Sequence, residues 1–425
     1  MSAVAMPRST DLHDGGAGAQ GAPDSAQHEL LERLLAGIER ELPRATRLRE
    51  RLHAEPELAH AEHDTVAKLE AELSIACQPA AGTGRLALVE VDVERSPVAV
   101  RAELDGLPIR ERTGAAFSAR GEAMHACGHD VHMAALVALT RAAHELRTDL
   151  PAPLLAVFQP SEEAYPSGAQ QLADDALGAL TPAAVVAAHV HPELPWGSVA
   201  LDTGIVNASC DAVTITVEGE PSHGAYPHQG RDPILALSQL VVALHAQVGR
   251  RIDPLQAASL TIGVLEGGSA ENLIPARACA RGALRAHRPE DRLALRALVE
   301  EVAHGIAEAH GCRASVELVP GEPALENDAE IVARARELLA RGGLSLAPQW
   351  HSCGSDDFAF FGALAPLAIA FVGLDGAAGF TQRPLHHPEL LVPSEAVGAV
   401  ARTLAALYLA AAGSVELAGS TGYAD

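Results

Sequence analysis

Apolar residues recur at a helical period through residues 28–53, HELLERLLAGIERELPRATRLRERLH, with charges between them, which predicts an amphipathic helix. A Pro-containing loop, HAEPELAHAEHDT, leads into a second helical stretch, VAKLEAELS. The period then shortens: RLALVEVDV and SPVAVRAELD read as strands, the second ending at Asp105. GHDVHMAALVALTRAAHELR returns to helix. PLLAVFQPSEE reads as a buried strand that delivers Glu162 and Glu163 at its end, and AAVVAAHVHP repeats the arrangement with His189 and His191. Strands alternating with helices predict an α/β fold, a mainly parallel sheet flanked by helices. In such sheets functional groups gather at the carboxyl ends of strands, where Asp105, Glu162, Glu163 and His189 all fall.

Near residue 208 the pattern changes. CDAVTITVEGE, SQLVVALHAQVGR, ASLTIGVLEGG, ACARGALRA, PEDRLALRALVEEVAHGIAEAHG and RASVELVPG follow a β-α-β-β-α-β order, the signature of a ferredoxin-like α+β unit. The helical stretch NDAEIVARARELLARGG then resumes the first pattern. The expected organisation is a flexible tail (1–27), a first catalytic part (28–207), an inserted unit (208–318), a second catalytic part (319–413) and a short tail (414–425). AVGAVARTLAALYLAAAG, at 396–413, contains Arg402 and keeps a helical period, so a packed helix is expected there and not a membrane span.

Composition narrows the chemistry. A formal net charge of −24 argues against nucleic-acid binding. Lys68 is the only lysine, which removes a Schiff-base lysine and a GxxxxGK phosphate loop. The six cysteines (77, 127, 210, 279, 312 and 353) are scattered, and the first 27 residues hold no continuous apolar run. Reduced thiols in a cytoplasmic protein are expected.

One stretch stands out. Residues 124–132 read MHACGHDVH, with Cys127, His125, His129 and His132 packed around a glycine. A thiolate and an imidazole two residues apart suit Zn²⁺ or a similar dication. The same residues also fit a Cys–His nucleophile pair, or a helix start capped by Asp130. Adjacent acids such as Glu162 and Glu163 belong as readily to a solvated loop as to a metal site. At the mouth of a buried strand, however, one can ligate metal while its neighbour takes a proton from water. His189 and the pair His386–His387 complete a set of N, O and S donors large enough for two metals.

With these motifs in order, the sequence resembles the amidohydrolase branch of the M20 metallopeptidase family, which includes hippurate hydrolases, N-acyl-amino-acid deacylases and auxin-conjugate hydrolases. The resemblance runs from about residue 45 to 412 and rests on RLHAEPEL, RAELDGLPI, MHACGHDVHMA, FQPSEE, HVHPELPWG, SHGAYPHQGRDPI, ENLIPARA, GSDDFAFF and PLHHPEL. It implies two divalent ions (Zn²⁺ or Mn²⁺, with Ni²⁺ or Co²⁺ as further options) held by Cys127, His129, Glu163, His189 and His386. Cys127 would stand where other branches carry a bridging aspartate. Glu162 would be the general base and Asp105 would orient a ligand. The inserted unit would be a lid and homodimerisation module. Its His223 would stabilise an oxyanion in the partner's site, and Asn272 and Arg285 would contact substrate. The implied reaction is hydrolysis of an N-acyl amino acid or related small amide, with a dipeptidase, a carboxypeptidase or a silent binding protein as alternatives. His125, Asp130, His132, His191 and His387 are expected to support the site without touching metal. Three departures bear on substrate: AYPSGAQQ replaces a Gly-rich segment, Glu103 replaces an aspartate, and ALRAHRPED replaces a Thr-rich strand.

Overall fold

A computed structural model describes residues 25–419. The expected tails fall largely outside these residues, and the parts inside them are helical. Helix Ser25–Ala54 begins ahead of the expected boundary at 28, and helix Ala396–Gly419 runs past 413. Gln27 Nε2 donates to the Leu409 carbonyl at 2.6 Å, so the added start of the first helix is held against the last helix.

Eight strands form the larger sheet. Its centre is parallel: Leu154–Gln159, Val98–Glu103, Ala184–Pro195 and Leu367–Asp375 lie side by side in that order. Antiparallel pairing appears toward the flanks, where Arg85–Val89 runs against Leu154–Gln159 and Ser198–Ala200 against Leu367–Asp375. The central strands are buried on both faces, as expected for a parallel sheet covered by helices. One face packs against helices Ser25–Ala54, His129–Glu145 and Ala396–Gly419, and the other against residues of helix Gly168–Asp174 and of the turn around Phe358 and Phe361. The C-terminal helix is apolar and long enough to cross a membrane, but 94% of its most apolar window is buried inside the protein. It is a core helix.

Residues 209–320 build a separate four-stranded antiparallel sheet, in the order Ala258–Gly267, Arg277–Ala286, Ser209–Glu218, Arg313–Pro320. Helices Pro233–Arg251 and Pro289–Ala309 pack on it around their own core of Val213, Ile215, Leu240, Leu244, Leu295 and Val299. The strand order is that of the ferredoxin-like arrangement.

The parallel register sets the site. Arg101 lies opposite Ala187, so Glu103 and His189 end up level on neighbouring strands. The loops that leave this edge carry Asp105 and the acid pair Glu162–Glu163.

Candidate active site

Cys127 and His129 flank Gly128, whose φ of +88° turns the chain into helix His129–Glu145. A Cβ on Gly128 would lie 2.6 Å from Val190 Cγ2, so only glycine permits this turn against the neighbouring strand. The His386 loop docks onto it through a 2.8 Å hydrogen bond from the His386 N–H to the Ala126 carbonyl. His386 itself holds a φ of +64°, an uncommon conformation for a residue with a side chain.

Each imidazole is oriented by its second nitrogen. His129 Nδ1 lies 2.8 Å from the Asp105 carbonyl and 3.6 Å from Asp105 Oδ1, so it donates to the carbonyl. His189 Nδ1 donates to the Val190 carbonyl at 2.7 Å. Both Nε2 lone pairs therefore face the site. His189 Nε2 is 3.5 Å from Cys127 Sγ, and His129 Nε2 is 3.9 Å from Glu162 Oε2. His132 is committed elsewhere: Nδ1 donates to Glu103 at 2.9 Å and Nε2 accepts the Val190 N–H at 3.0 Å.

The acids complete the cluster. Donor atoms of Cys127, Glu163 and His386 lie within 4.8 Å of one another, as do those of His129, Glu162 and Glu163. Glu163 is common to both groups. Its backbone N–H donates to Asp105 Oδ2 at 2.9 Å, which fixes the acid loop against the Asp105 loop. Three buried atoms here, His129 Nε2, Glu163 Oε1 and Asp105 Oδ1, have no hydrogen-bond partner. Glu163 Oε1 is only 3.1 Å from His386 Nε2, yet the two lack hydrogen-bond geometry. Two of the three, His129 Nε2 and Glu163 Oε1, belong to the donor clusters; unpaired buried lone pairs beside a thiol fit a bound dication, and the S, N and O set suits a transition metal.

Electrostatics separate the readings of Cys127. Burial and the charges of Glu163, Glu162 and Glu103 push its thiol well above the ordinary range. Burial and His132 push His189 well below its own. A thiolate–imidazolium nucleophile needs both shifts reversed. Burial alone would lower His129, but Asp105, Glu103 and Glu163 carry it up to about 10, a measure of the negative potential here. Burial also lifts Glu162 well above the carboxylate range, reinforced by Glu163, Asp356 and Asp357.

The inserted unit divides the remaining candidates. His223 and Leu273 pair across a two-stranded ribbon, and the Gly224 N–H donates to the Asn272 carbonyl at 2.7 Å, so His223 and Asn272 are neighbours. Arg285 stands apart, near the opposite end of strand Arg277–Ala286, a length of roughly 30 Å. There its Nη1 donates to the Cys353 carbonyl at 3.0 Å and contacts the Ser355 hydroxyl at 3.3 Å.

A sequence model of Peptidase family M20/M25/M40 matches residues 99–410. The chain belongs to the M20 peptidase family. Among its relatives, the N-acetyl-L-cysteine deacetylase of Bacillus subtilis (strain 168) is 34% identical over 82% of this chain and 84% of its own length. An N-acetyldiaminopimelate deacetylase of Bacillus licheniformis is 32% identical over 85% of this chain and 96% of its own. In structure the chain is similar to the YXEP protein of Bacillus subtilis, a dinuclear metal-binding peptidase of the M20 family. That match has a TM-score of 0.77 and 28% identity, and covers 87% of this chain and 98% of the other.

In this M20 chain the residues that sequence reasoning missed are those behind the donors. Arg101 is fully buried and donates to Glu103, to Gln159 at 2.7 Å and to Asp357 at 2.9 Å. Asp357 also accepts the Ser167 hydroxyl at 2.7 Å, pinning the end of the acid loop. Asp356 and Asp357 stand in GSDDFAFF, a motif quoted for the resemblance but given no role.

Proposed function

We propose that this chain is a metal-dependent amidohydrolase that cleaves the acyl amide of an N-acyl amino acid. One observation carries the reading: two donor groups, Cys127–Glu163–His386 and His129–Glu162–Glu163, share Glu163 and bring the Glu162 carboxylate into the same cluster. Cys127, His129, Glu163, His189 and His386 would hold two divalent ions, Zn²⁺ or Mn²⁺, with Ni²⁺ and Co²⁺ compatible with the same donors. Such ions, when bound, polarise a carbonyl and acidify water. Asp105 holds the His129 ring and the acid loop in register. Glu162 accepts a proton from the attacking water at its carboxylate and delivers it to the leaving nitrogen. Its raised affinity for a proton, from burial and three neighbouring acids, suits that role. The deacetylase activities of the relatives favour an acyl amino acid as substrate.

His223 and Asn272 lie at the far end of the lid from Arg285, too far along the strand to share a site with it in one chain. A second copy would bring them to the substrate's carbonyl oxygen, while Arg285 takes the carboxylate. Support for a homodimer comes from the lid's outer strand, where residues 263–267 are exposed, and from Leu235 and Val242, exposed seven residues apart on one helix. The six cysteines are free thiols, which favours a reducing, cytoplasmic setting.

The test is a hydrolysis screen of N-acetyl, N-benzoyl and longer acyl amino acids, alongside dipeptides, with Zn²⁺, Mn²⁺, Co²⁺ or Ni²⁺ added. Activity on acyl amino acids that chelation abolishes and metal restores is expected. Activity that survives metal removal overturns the reading.

A further inference from the structure

Ser161 is the residue on which the acid loop turns. It follows strand Leu154–Gln159 and Pro160, immediately precedes Glu162, and holds a φ of +50°, in the left-handed region. A serine in that conformation persists only where its surroundings over-determine it. Every polar group of this buried serine has a partner. Its N–H donates to Glu62 Oε1 at 2.9 Å, and its carbonyl accepts the Gly168 N–H at 3.1 Å. Its hydroxyl accepts the His60 N–H at 2.9 Å and lies 2.9 Å from His60 Nδ1. Gly168 is obligatory here, since a Cβ on it would fall 1.8 Å from the Pro160 carbonyl oxygen.

Three of these four contacts come from one short segment ahead of helix His63–Glu72. His60 is itself left-handed, with a φ of +67°. Glu62 stands at the N-cap position, where an acidic side chain ordinarily accepts from the first turn, yet it makes no cap bond. Its carboxyl group is fully buried, and the two oxygens instead accept the Ser161 N–H and, at 2.6 Å, the Thr83 hydroxyl. Burying that group between neutral donors is costly, and serving as a helix cap would have left it near water. The same segment also reaches the Asp105 loop, where the Glu57 carbonyl accepts the Gly106 N–H at 2.7 Å.

Glu162 depends on such support. Its Oε2 is 3.9 Å from His129 Nε2, too far for a hydrogen bond, whereas Glu163 is held through its N–H by Asp105. The aim of the Glu162 carboxylate therefore follows from the backbone turn before it. We propose that Glu62 and His60 are positioning residues for the base: through Ser161 they hold the Glu162 carboxylate where it meets the attacking water. This rests on the assignment of Glu162 as that base. A shift of about 1 Å is enough to cost roughly 100-fold in rate, so the effect falls on kcat and leaves substrate and metal binding in place.

The experiment uses the metal-loaded enzyme and the acyl amino acid hydrolysed fastest in the screen above. Glu62→Leu should lower kcat about 10–100-fold, with KM and bound metal near wild type. Glu62→Gln, whose amide oxygen still accepts from Ser161 and whose amide nitrogen can meet Thr83, should recover most of that loss. His60 is exposed, so His60→Gly, which favours the left-handed turn but lacks the ring, serves if Glu62→Leu does not fold. Its kcat should fall about fivefold, the worth of one hydrogen bond. The deciding readout combines each variant with Glu162→Gln. The added loss should then be less than about twofold, because the effect passes through a carboxylate already removed. The full loss recurring in the Glu162→Gln background, a loss of metal in place of kcat, or an unchanged kcat overturns the proposal while leaving amide hydrolysis standing. If Glu162→Gln alone keeps full turnover, the base assignment falls and this proposal with it.

Discussion

Arg49 and Asp130 meet inside the protein, Nε to Oδ2 at 2.7 Å, with each side chain only 1% exposed. The same Asp130 oxygen accepts from His53 Nδ1 at 2.8 Å, and Arg49 Nη2 donates to the Val392 carbonyl at 2.8 Å. Asp130 adjoins His129, so this cluster fastens the Cys127–His129 turn to the first helix and to the segment before the last.

Asp130→Asn should lower the unfolding free energy by about 3–5 kcal/mol, because Arg49 would remain buried without its counter-charge. Chemical denaturation measures this. Burial opposes ionisation of Asp130, but Arg49 and His53 hold it below its ordinary 3.8; burial likewise opposes the His53 charge, but Asp130 and Glu111 raise it above 6.5. The Asp130 contribution is present above 3.8 and lost as pH falls through the lowered value. The His53 contribution is present below 6.5 and lost as pH rises through the raised one. The stability gap between wild type and Asp130→Asn should therefore be widest between 3.8 and 6.5.

Cys127→Ala should reduce metal affinity by at least 10–100-fold, roughly what even an outer supporting residue contributes. Metal analysis after dialysis should find about two divalent ions per wild-type chain and fewer in the variant. Cobalt-substituted wild type should show a thiolate-to-metal charge-transfer band that Cys127→Ala lacks. A wild-type spectrum without that band would remove Cys127 from the ligand set.

Glu162→Gln should keep its metal while kcat falls about 10²–10⁴-fold. Unchanged turnover with full metal content would reassign the base.

His223→Ala and Glu162→Gln, each nearly inactive alone, should regain about a quarter of wild-type activity when equal amounts exchange subunits, since half the dimers then hold one intact site. Unfolding and refolding the two together allows the exchange. No recovery, with mixed dimers verified, would mean that His223 serves its own chain.

The elements that carried chemistry were legible because their periods were clean and their strands ended in polar residues. Asp105, Glu162, Glu163 and His189 follow apolar runs, and the parallel register brings those ends together. The ferredoxin-like unit was legible for the same reason, its strands alternating and its helices amphipathic. The central strand Leu367–Asp375 was missed: it is as continuously apolar as Leu154–Gln159, but no histidine or acid pair at its end marked it. Arg101 was hidden within a strand pattern, since a buried arginine contradicts the usual placement and only its partners explain it. Glu62 and Ser161 lie far apart in sequence and in unpatterned segments, so no spacing could have paired them.

Arg101 has further consequences for the life of the protein. Buried Arg101 is set among Glu103, Asp356 and Asp357, and Glu162 clusters with the two aspartates. Protons held on Glu162, Asp356 and Asp357 relieve part of this excess of like charge, and bound dications would relieve the rest, so metal loading would add to the stability of the fold. A cell short of its divalent ion would then lose molecules as well as rate, because chains that wait unfilled stay longer within reach of proteases. Abundance in the cell would become a gauge of metal supply.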